Sequence, residues 1–168
     1  MRKAKSKINS RLNVGCGDLP FEGWVNLDLR PLKGVSVRSN AAQLPFKDGV
    51  FEIVYASHVI EHFDFLEGFE VLKEWKRVLK TGGNLIIECP DFLGLCRRFV
   101  QCDEGGRIGL YMHIFGNPWI KEQIHKFLYT PNQLRWTLEQ LGFKNIVQTE
   151  QKRFPGGNDI NLRMECTK

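Results

Sequence analysis

Leu12-Asn13-Val14-Gly15-Cys16-Gly17 is the stretch whose reading decides the fold. Three residues with the character of a short apolar strand run directly into a Gly-x-Gly turn. Eleven residues beyond Gly17, a second short strand, Trp24-Val25-Asn26-Leu27, ends on Asp28. Open α/β sheets hold an adenosine with this pairing. Glycine lets the backbone approach the ligand, and a carboxylate at the tip of the next strand accepts hydrogen bonds from the ribose hydroxyls.

Spacing narrows the ligand. A dinucleotide fingerprint places a third glycine where this chain has Pro20, and its acid lies about 20 residues on, after a full helix facing the pyrophosphate. Here seven residues, Asp18 to Trp24, separate Gly17 from Val25, and Pro20 and Gly23 are among them. That length allows a turn or two. Asp18, on the glycine turn, repels a phosphate. The expected ligand contains adenosine but no phosphate, which favours S-adenosylmethionine over NAD or ATP.

Working outward, 168 residues suit one domain with a core that needs neither disulfides nor metals. The division expected is a basic tail over 1–10 and a single domain over 11–168. No apolar run reaches 18 residues, and the start of the chain lacks the apolar stretch of a signal peptide. These features read as a soluble, cytoplasmic protein. Five cysteines (Cys16, Cys89, Cys96, Cys102 and Cys166) form no C-x-x-C pair and suit reduced thiols, most often small buried hydrophobes. The net charge of +5 is matched by Arg2, Lys3, Lys5, Lys7 and Arg11 alone. Such a tail can touch nucleic acid or an anionic surface, but it is more often a frayed terminus. No other basic stripe with interleaved aromatics accompanies it, which weighs against nucleic acid as a partner.

Phe51 to Ala56 reads as a buried strand, and Leu66 to Lys80 as a helix with Leu66, Phe69, Leu72, Trp75 and Leu79 on one face. Gly82 suits a left-handed cap for that helix. Asn84 to Cys89 is a further strand. Thr130-Pro131-Asn132-Gln133 opens a helix that runs to Gly142. Strands follow at Asn145 to Thr149 and Ile160 to Cys166. The last alternates Ile160, Leu162, Met164 and Cys166 inward with Asn161, Arg163 and Glu165 outward. The expected architecture is α/β, a mostly parallel sheet closed by an antiparallel C-terminal hairpin.

Several segments together resemble a known family. They are Leu12 to Gly17, Gly23 to Asp28, Leu44-Pro45-Phe46 leading into Phe51, and Ala56-Ser57-His58-Val59-Ile60-Glu61-His62-Phe63. Arg77-Val78-Leu79-Lys80-Thr81-Gly82-Gly83 and His125-Lys126-Phe127 with Tyr129-Thr130-Pro131 complete the set. In this order they resemble a class I S-adenosylmethionine-dependent methyltransferase of the small type-11-like group, over about residues 11–150. The resemblance implies a Rossmann-like sheet of seven strands, methyl transfer with S-adenosylhomocysteine as product, and a small-molecule or glycan-type acceptor. It implies a cofactor set of Asn13, Gly15, Cys16, Gly17, Asp28, Leu29, Asn40, Ala41, Ala42, Ser57 and His58. Asn40 stands where the family usually has aspartate; an amide both donates and accepts, so adenine recognition survives with changed geometry.

The connections are short. A parallel crossover usually takes a dozen residues or more, whereas about ten lie between the first two strands and about six between Asp28 and a third at Val35 to Arg38. The first helices are therefore expected to be shortened, leaving a thinly covered sheet face for a partner subunit, as in a homodimer, or for the N-terminal tail.

Methyl transfer requires alignment and, for some acceptors, proton removal. His125 is the candidate base, in the stretch from Asp103 to Tyr129 whose glycines and aromatics suit a lid. Asp91, just past the fifth strand, is the second catalytic candidate, and Tyr129 offers a phenol. Two further readings stand beside the transferase. One is an S-adenosylmethionine-binding module or partner subunit without activity. The other is a zinc hydrolase, since His58 to His62 fits H-x-x-E-H, which needs both histidines on one helix face and a third ligand whose place nothing specifies. No metal is assigned on sequence.

Overall fold

Strands β1 (Arg11–Val14), β2 (Val25–Asp28), β3 (Val37–Arg38), β4 (Phe51–Ser57), β5 (Leu79–Pro90), β6 (Lys144–Thr149) and β7 (Asn161–Thr167) form one sheet. Their spatial order is β3-β2-β1-β4-β5-β7-β6. The structure, a computed structural model, describes residues 10–150 and 159–168. Neighbours from β3 to β5 pair in parallel, and β7 runs antiparallel to both β5 and β6. This is the expected sheet with its antiparallel end. Most of the basic tail lies outside the described residues.

Alternation sets the two faces. Leu12, Val14, Leu27, Val54, Ala56, Leu85, Ile87, Leu162, Met164 and Cys166 share one buried face. With it pack helices α1 (Phe65–Val78) and α4 (Pro131–Gln140), through Val71, Leu72, Trp75, Leu134 and Leu138. The opposite face is polar. There Glu88 accepts hydrogen bonds from Tyr55 (2.5 Å) and Ser57 (2.9 Å) and from Nη1 of Arg163 (2.6 Å). Asn161 is an exception to the outward set expected of β7, since it is buried.

Only turns fill the connections from β1 to β4 among the described residues. Asn26 explains the first of them. Its Oδ1 accepts from the Phe21 amide (2.8 Å) and from Asn13 Nδ2 (3.0 Å), while its Nδ2 donates to the Phe21 carbonyl (2.8 Å). The turn is thereby bound to the strand it precedes, and Phe21 packs its ring on Trp24 and Tyr55. Side-chain bonds do the work that a helix does in a longer connection.

Three boundaries differ from the sequence reading. α1 begins earlier, at a capping box in which Asp64 accepts from the Glu67 amide (2.8 Å) and Glu67 accepts from the Asp64 amide (3.0 Å). It ends at Val78, because Leu79 turns extended to pair with Phe51 in the sheet. Gly82, φ +77°, therefore lies within β5 and not at a helix cap. Leu66 is 76% exposed, and the buried stripe instead runs through Gly68, Val71, Leu72, Trp75 and Val78.

Helix α3 (Glu104–Phe115) lies within the stretch read as a lid, and α2 (Phe92–Gln101) just before it, where the sequence reading assigns no element. Each starts at an aspartate, Asp91 accepting from the Leu93 amide (3.0 Å) and Asp103 from the Gly106 amide (2.8 Å). Leu95, Leu110 and Ile160 form a small second core beneath them. No helix among the described residues is long and apolar enough to cross a membrane.

Candidate active site

A cavity of about 930 Å³ opens at the carboxyl ends of β1, β2 and β4. Its first end is built by the glycine turn. Gly15 has φ +62°, and a Cβ there would stand 2.4 Å from Cγ2 of Val59. Both the backbone conformation and the space require glycine. Gly17, φ +54°, donates its amide to Asp28 Oδ2 (2.8 Å). The other carboxylate oxygen accepts from the Arg30 amide (2.9 Å) and from Arg30 Nε (3.2 Å).

Burial alone would raise the pKa of Asp28. The Arg30 amide and guanidinium and the Gly17 amide outweigh it and hold the carboxyl below its ordinary value. The acid is thus charged and oriented beside the turn. Asn13, Gly15, Cys16, Gly17, Asp28, half-exposed Leu29, Asn40, Ala41, Ser57 and His58 all line the cavity. Ala42 does not. Its amide instead donates to Asn40 Oδ1 (2.9 Å), a local turn that also commits the amide oxygen of Asn40.

The second end gathers every histidine in the chain. His58, His62, His113 and His125 all line it. His58 directly follows β4 with φ +53°, a conformation that β-carbon sterics disfavour, and its amide donates to the Glu88 carbonyl (2.8 Å). Val59 and a single 3₁₀ turn (Ile60–His62) follow. Glu61 in that turn is fully buried, and His58 Nδ1 stands 3.0 Å from its Oε1 as an ion pair. Burial opposes charge on both partners. Their mutual attraction prevails, raising the His58 pKa and lowering that of Glu61. Burial lowers the pKa of His125 and of His113.

Backbone hydrogen bonds tie these segments together. The Glu61 carbonyl accepts from the amides of Lys126 (2.8 Å) and Phe127 (3.2 Å). Gly116 and Ile124 form an isolated antiparallel bridge, and the His125 amide donates to the Phe115 carbonyl (3.0 Å). A Cβ on Gly116, φ +76°, would meet the Gln123 carbonyl at 2.0 Å and His125 Cδ2 at 2.9 Å. Glycine at 116 therefore fixes where His125 sits.

Two sequence candidates take structural roles. The Asp91 carboxylate caps α2 and is not in the cavity lining. Tyr129 is fully buried in the main core against Phe127 and Gly68, and burial drives its pKa upward. The hydrolase motif also fails as drawn, because His58 lies outside the 3₁₀ turn that carries His62 and the two share no helix face. Glu61 and His62 enter the sequence reading only through the H-x-x-E-H motif, and His113 escapes it. The signal that would have found His113 is the chain's small complement of histidines.

Residues 12–87 match a family model described as a methyltransferase domain. An uncharacterised protein of Methanocaldococcus jannaschii is 39% identical over 89 residues, which are 45% of this chain and 38% of that protein. The chain thus spans well under half the length of this relative. Among solved structures, a SAM-dependent methyltransferase of Thermotoga maritima, described as a possible histamine N-methyltransferase, superposes with TM-score 0.62 at 19% identity, over 94% of this chain and 81% of that one. A SAM-dependent methyltransferase of Archaeoglobus fulgidus gives TM-score 0.61 at 17% identity, over 94% and 85%. Phosphoethanolamine N-methyltransferase 2 of Haemonchus contortus, in complex with S-adenosyl-L-methionine, gives 0.61 at 12%, over 94% and 48%. Residues 12–87 of the chain thus match a methyltransferase domain, and the described residues share the fold of solved SAM-dependent methyltransferases.

Proposed function

We propose that this protein transfers a methyl group from S-adenosylmethionine to a hydroxyl of a small-molecule or glycan-type acceptor. One observation carries the reading: a single cavity joins the Gly15–Asp28 end to the histidine end. A cofactor at the first end presents its sulfonium toward the second.

In this reading Asp28 accepts the two ribose hydroxyls, exchanging its contact with Arg30 Nε for one of them. The Gly15 to Gly17 backbone and Ser57-His58 border the methionine portion, and Leu29 lies along the adenine. The acceptor oxygen attacks the methyl carbon in line with the carbon–sulfur bond. That bond breaks as the new oxygen–carbon bond forms, and its electron pair returns to sulfur, giving neutral S-adenosylhomocysteine. The acceptor proton passes to the histidine end, where His125 is the candidate acceptor of it.

The test has two stages. Calorimetric titration should give micromolar binding of S-adenosylhomocysteine and S-adenosylmethionine. Incubation with methyl-tritiated cofactor and a panel of hydroxylated small molecules and oligosaccharides should then label at least one acceptor. Cofactor binding without label transfer to any member of the panel would favour the binding module without activity.

A further inference from the structure

From the geometry of the histidine end we infer a binding site for a zinc-type divalent cation, with Glu61, His62 and His125 as ligands. One carboxylate oxygen of Glu61 and one ring nitrogen each of His62 and His125 lie within 4.8 Å of one another. Zinc is held by such donors at about 2.0–2.2 Å, so tetrahedral ligands stand about 3.4 Å apart. The set closes if each pair of ligand atoms approaches by at most about 1.4 Å.

The tautomers are already set for this. His62 Nδ1 lies 3.1 Å from the Ile124 carbonyl, and His125 Nδ1 lies 3.1 Å from the His113 carbonyl. A carbonyl has no proton to give, so each Nδ1 carries the hydrogen and each Nε2 keeps its lone pair. Metal-ligating histidines are oriented in the same way, with the second nitrogen donating to a backbone carbonyl or carboxylate. His58 does the corresponding service for the acid, its Nδ1 standing 3.0 Å from Glu61 Oε1.

Glu61 supplies the independent observation. Its side chain is fully buried, Oε1 has the His58 ring beside it, and Oε2 has no hydrogen-bond partner among the described residues. A carboxylate taken from water without full pairing costs several kcal/mol, and a divalent cation would offset that cost. Two imidazoles and one carboxylate leave a coordination position for an outside oxygen, and His62 and His125 both border the cavity. An acceptor hydroxyl bound there becomes more acidic and is held in place. The inference deepens the transferase reading and rests on it for the acceptor's role: with the ion bound, His125 would be a ligand in place of the base, and the more acidic hydroxyl would lose its proton to water in the cavity. The ion's binding does not depend on turnover.

The experiment uses the full chain stripped with a chelating resin, then titrated with zinc against a competing chelator, with cobalt(II) as the spectroscopic probe. One equivalent of zinc is expected, and the cobalt form should show the visible bands of a four-coordinate nitrogen–oxygen site. His125→Ala and His62→Ala should each weaken zinc by more than about 100-fold, beyond the roughly 10- to 100-fold lost when only a group hydrogen-bonded to a ligand is removed. Both should still bind S-adenosylhomocysteine, which also reports that they fold. Glu61→Gln should weaken zinc similarly, and Cys96→Ser should leave it unchanged.

Absence of stoichiometric zinc in protein that binds S-adenosylhomocysteine would overturn the site. A thiolate-to-cobalt charge-transfer band, or zinc affinity indifferent to both histidine variants, would overturn it equally. Failure of S-adenosylhomocysteine to bind folded, zinc-loaded protein would instead defeat the transferase reading and leave the ion site standing.

Discussion

The two ends of the cavity are built in opposite ways. At the cofactor end, residues 12–28 supply the glycine turn and its acid from one short span of chain, joined by local bonds such as Gly17 to Asp28. At the histidine end, His58 and His62 come from the exit of β4, His113 from α3, and His125 from a strap more than sixty residues past His62. The first end is a local motif. The second exists only when the chain is folded, and it concentrates buried ionisable groups where the first has only Asp28. In the proposed reading, the difference separates the part of the site that grips the cofactor from the part that receives the acceptor.

Substitutions can break that division at one end without touching the other. The largest effect is expected of Asp28→Ala. Each hydrogen bond to a charged group contributes about 1.5–3 kcal/mol, so loss of both ribose contacts should cost about 3 kcal/mol, roughly 100-fold in S-adenosylhomocysteine affinity by calorimetry. Zinc binding should be unchanged. Equal loss of both ligands would show that the two ends are one cooperative unit.

Gly116→Ala attacks the other end. The new Cβ would overlap the Gln123 carbonyl and press on His125 in a backbone conformation that alanine resists. It should destabilise the fold by about 1–3 kcal/mol in urea denaturation and weaken zinc by about tenfold or more. Cofactor affinity should move less than about twofold.

How far each end was legible in the sequence follows from the same contrast. Glycines in a turn and a carboxylate at a strand tip are local, so Gly15, Gly17 and Asp28 could be found by spacing alone. So could the capping box at Thr130, where Gln133 answers the threonine. The histidine end depends on tertiary contacts with no sequence period. The glycines of α3 disguised a helix, and the apolar spacing of α1 drew Leu66 inward although sheet pairing and packing leave it in solvent. Asp91 lay in the right place for chemistry along the chain, but the helix it caps was not foreseen, so its commoner role was missed.

Arg30→Ala sharpens the cofactor end. Removing the guanidinium beside Asp28 relieves part of what keeps its pKa low. In the proposed reading Asp28 binds ribose as the carboxylate, so affinity should be present above its pKa and lost as pH falls through it. The variant should bind within about threefold of the parent near neutrality, as expected for a partly exposed ion pair, but lose affinity at a higher pH on acidification. Stability carries the same sign: the depressed folded pKa contributes above the unfolded value of about 3.9 and fades as pH falls below it. Titrations in a pH series check both.

The smallest effect should come from Asp91. Asparagine caps helices as well as aspartate does, so Asp91→Asn should alter stability by less than about 0.5 kcal/mol, while Asp91→Ala should cost about 1 kcal/mol. Denaturant midpoints check the cap, and label transfer distinguishes it from a catalytic acid, for which asparagine would leave the fold intact and abolish transfer.

The most direct test of the central claim is calorimetric titration of the parent chain and Asp28→Ala with S-adenosylhomocysteine. The expected result is one micromolar site in the parent, weakened about 100-fold in a variant that remains folded. No binding to the folded parent, or binding indifferent to Asp28, would contradict the account.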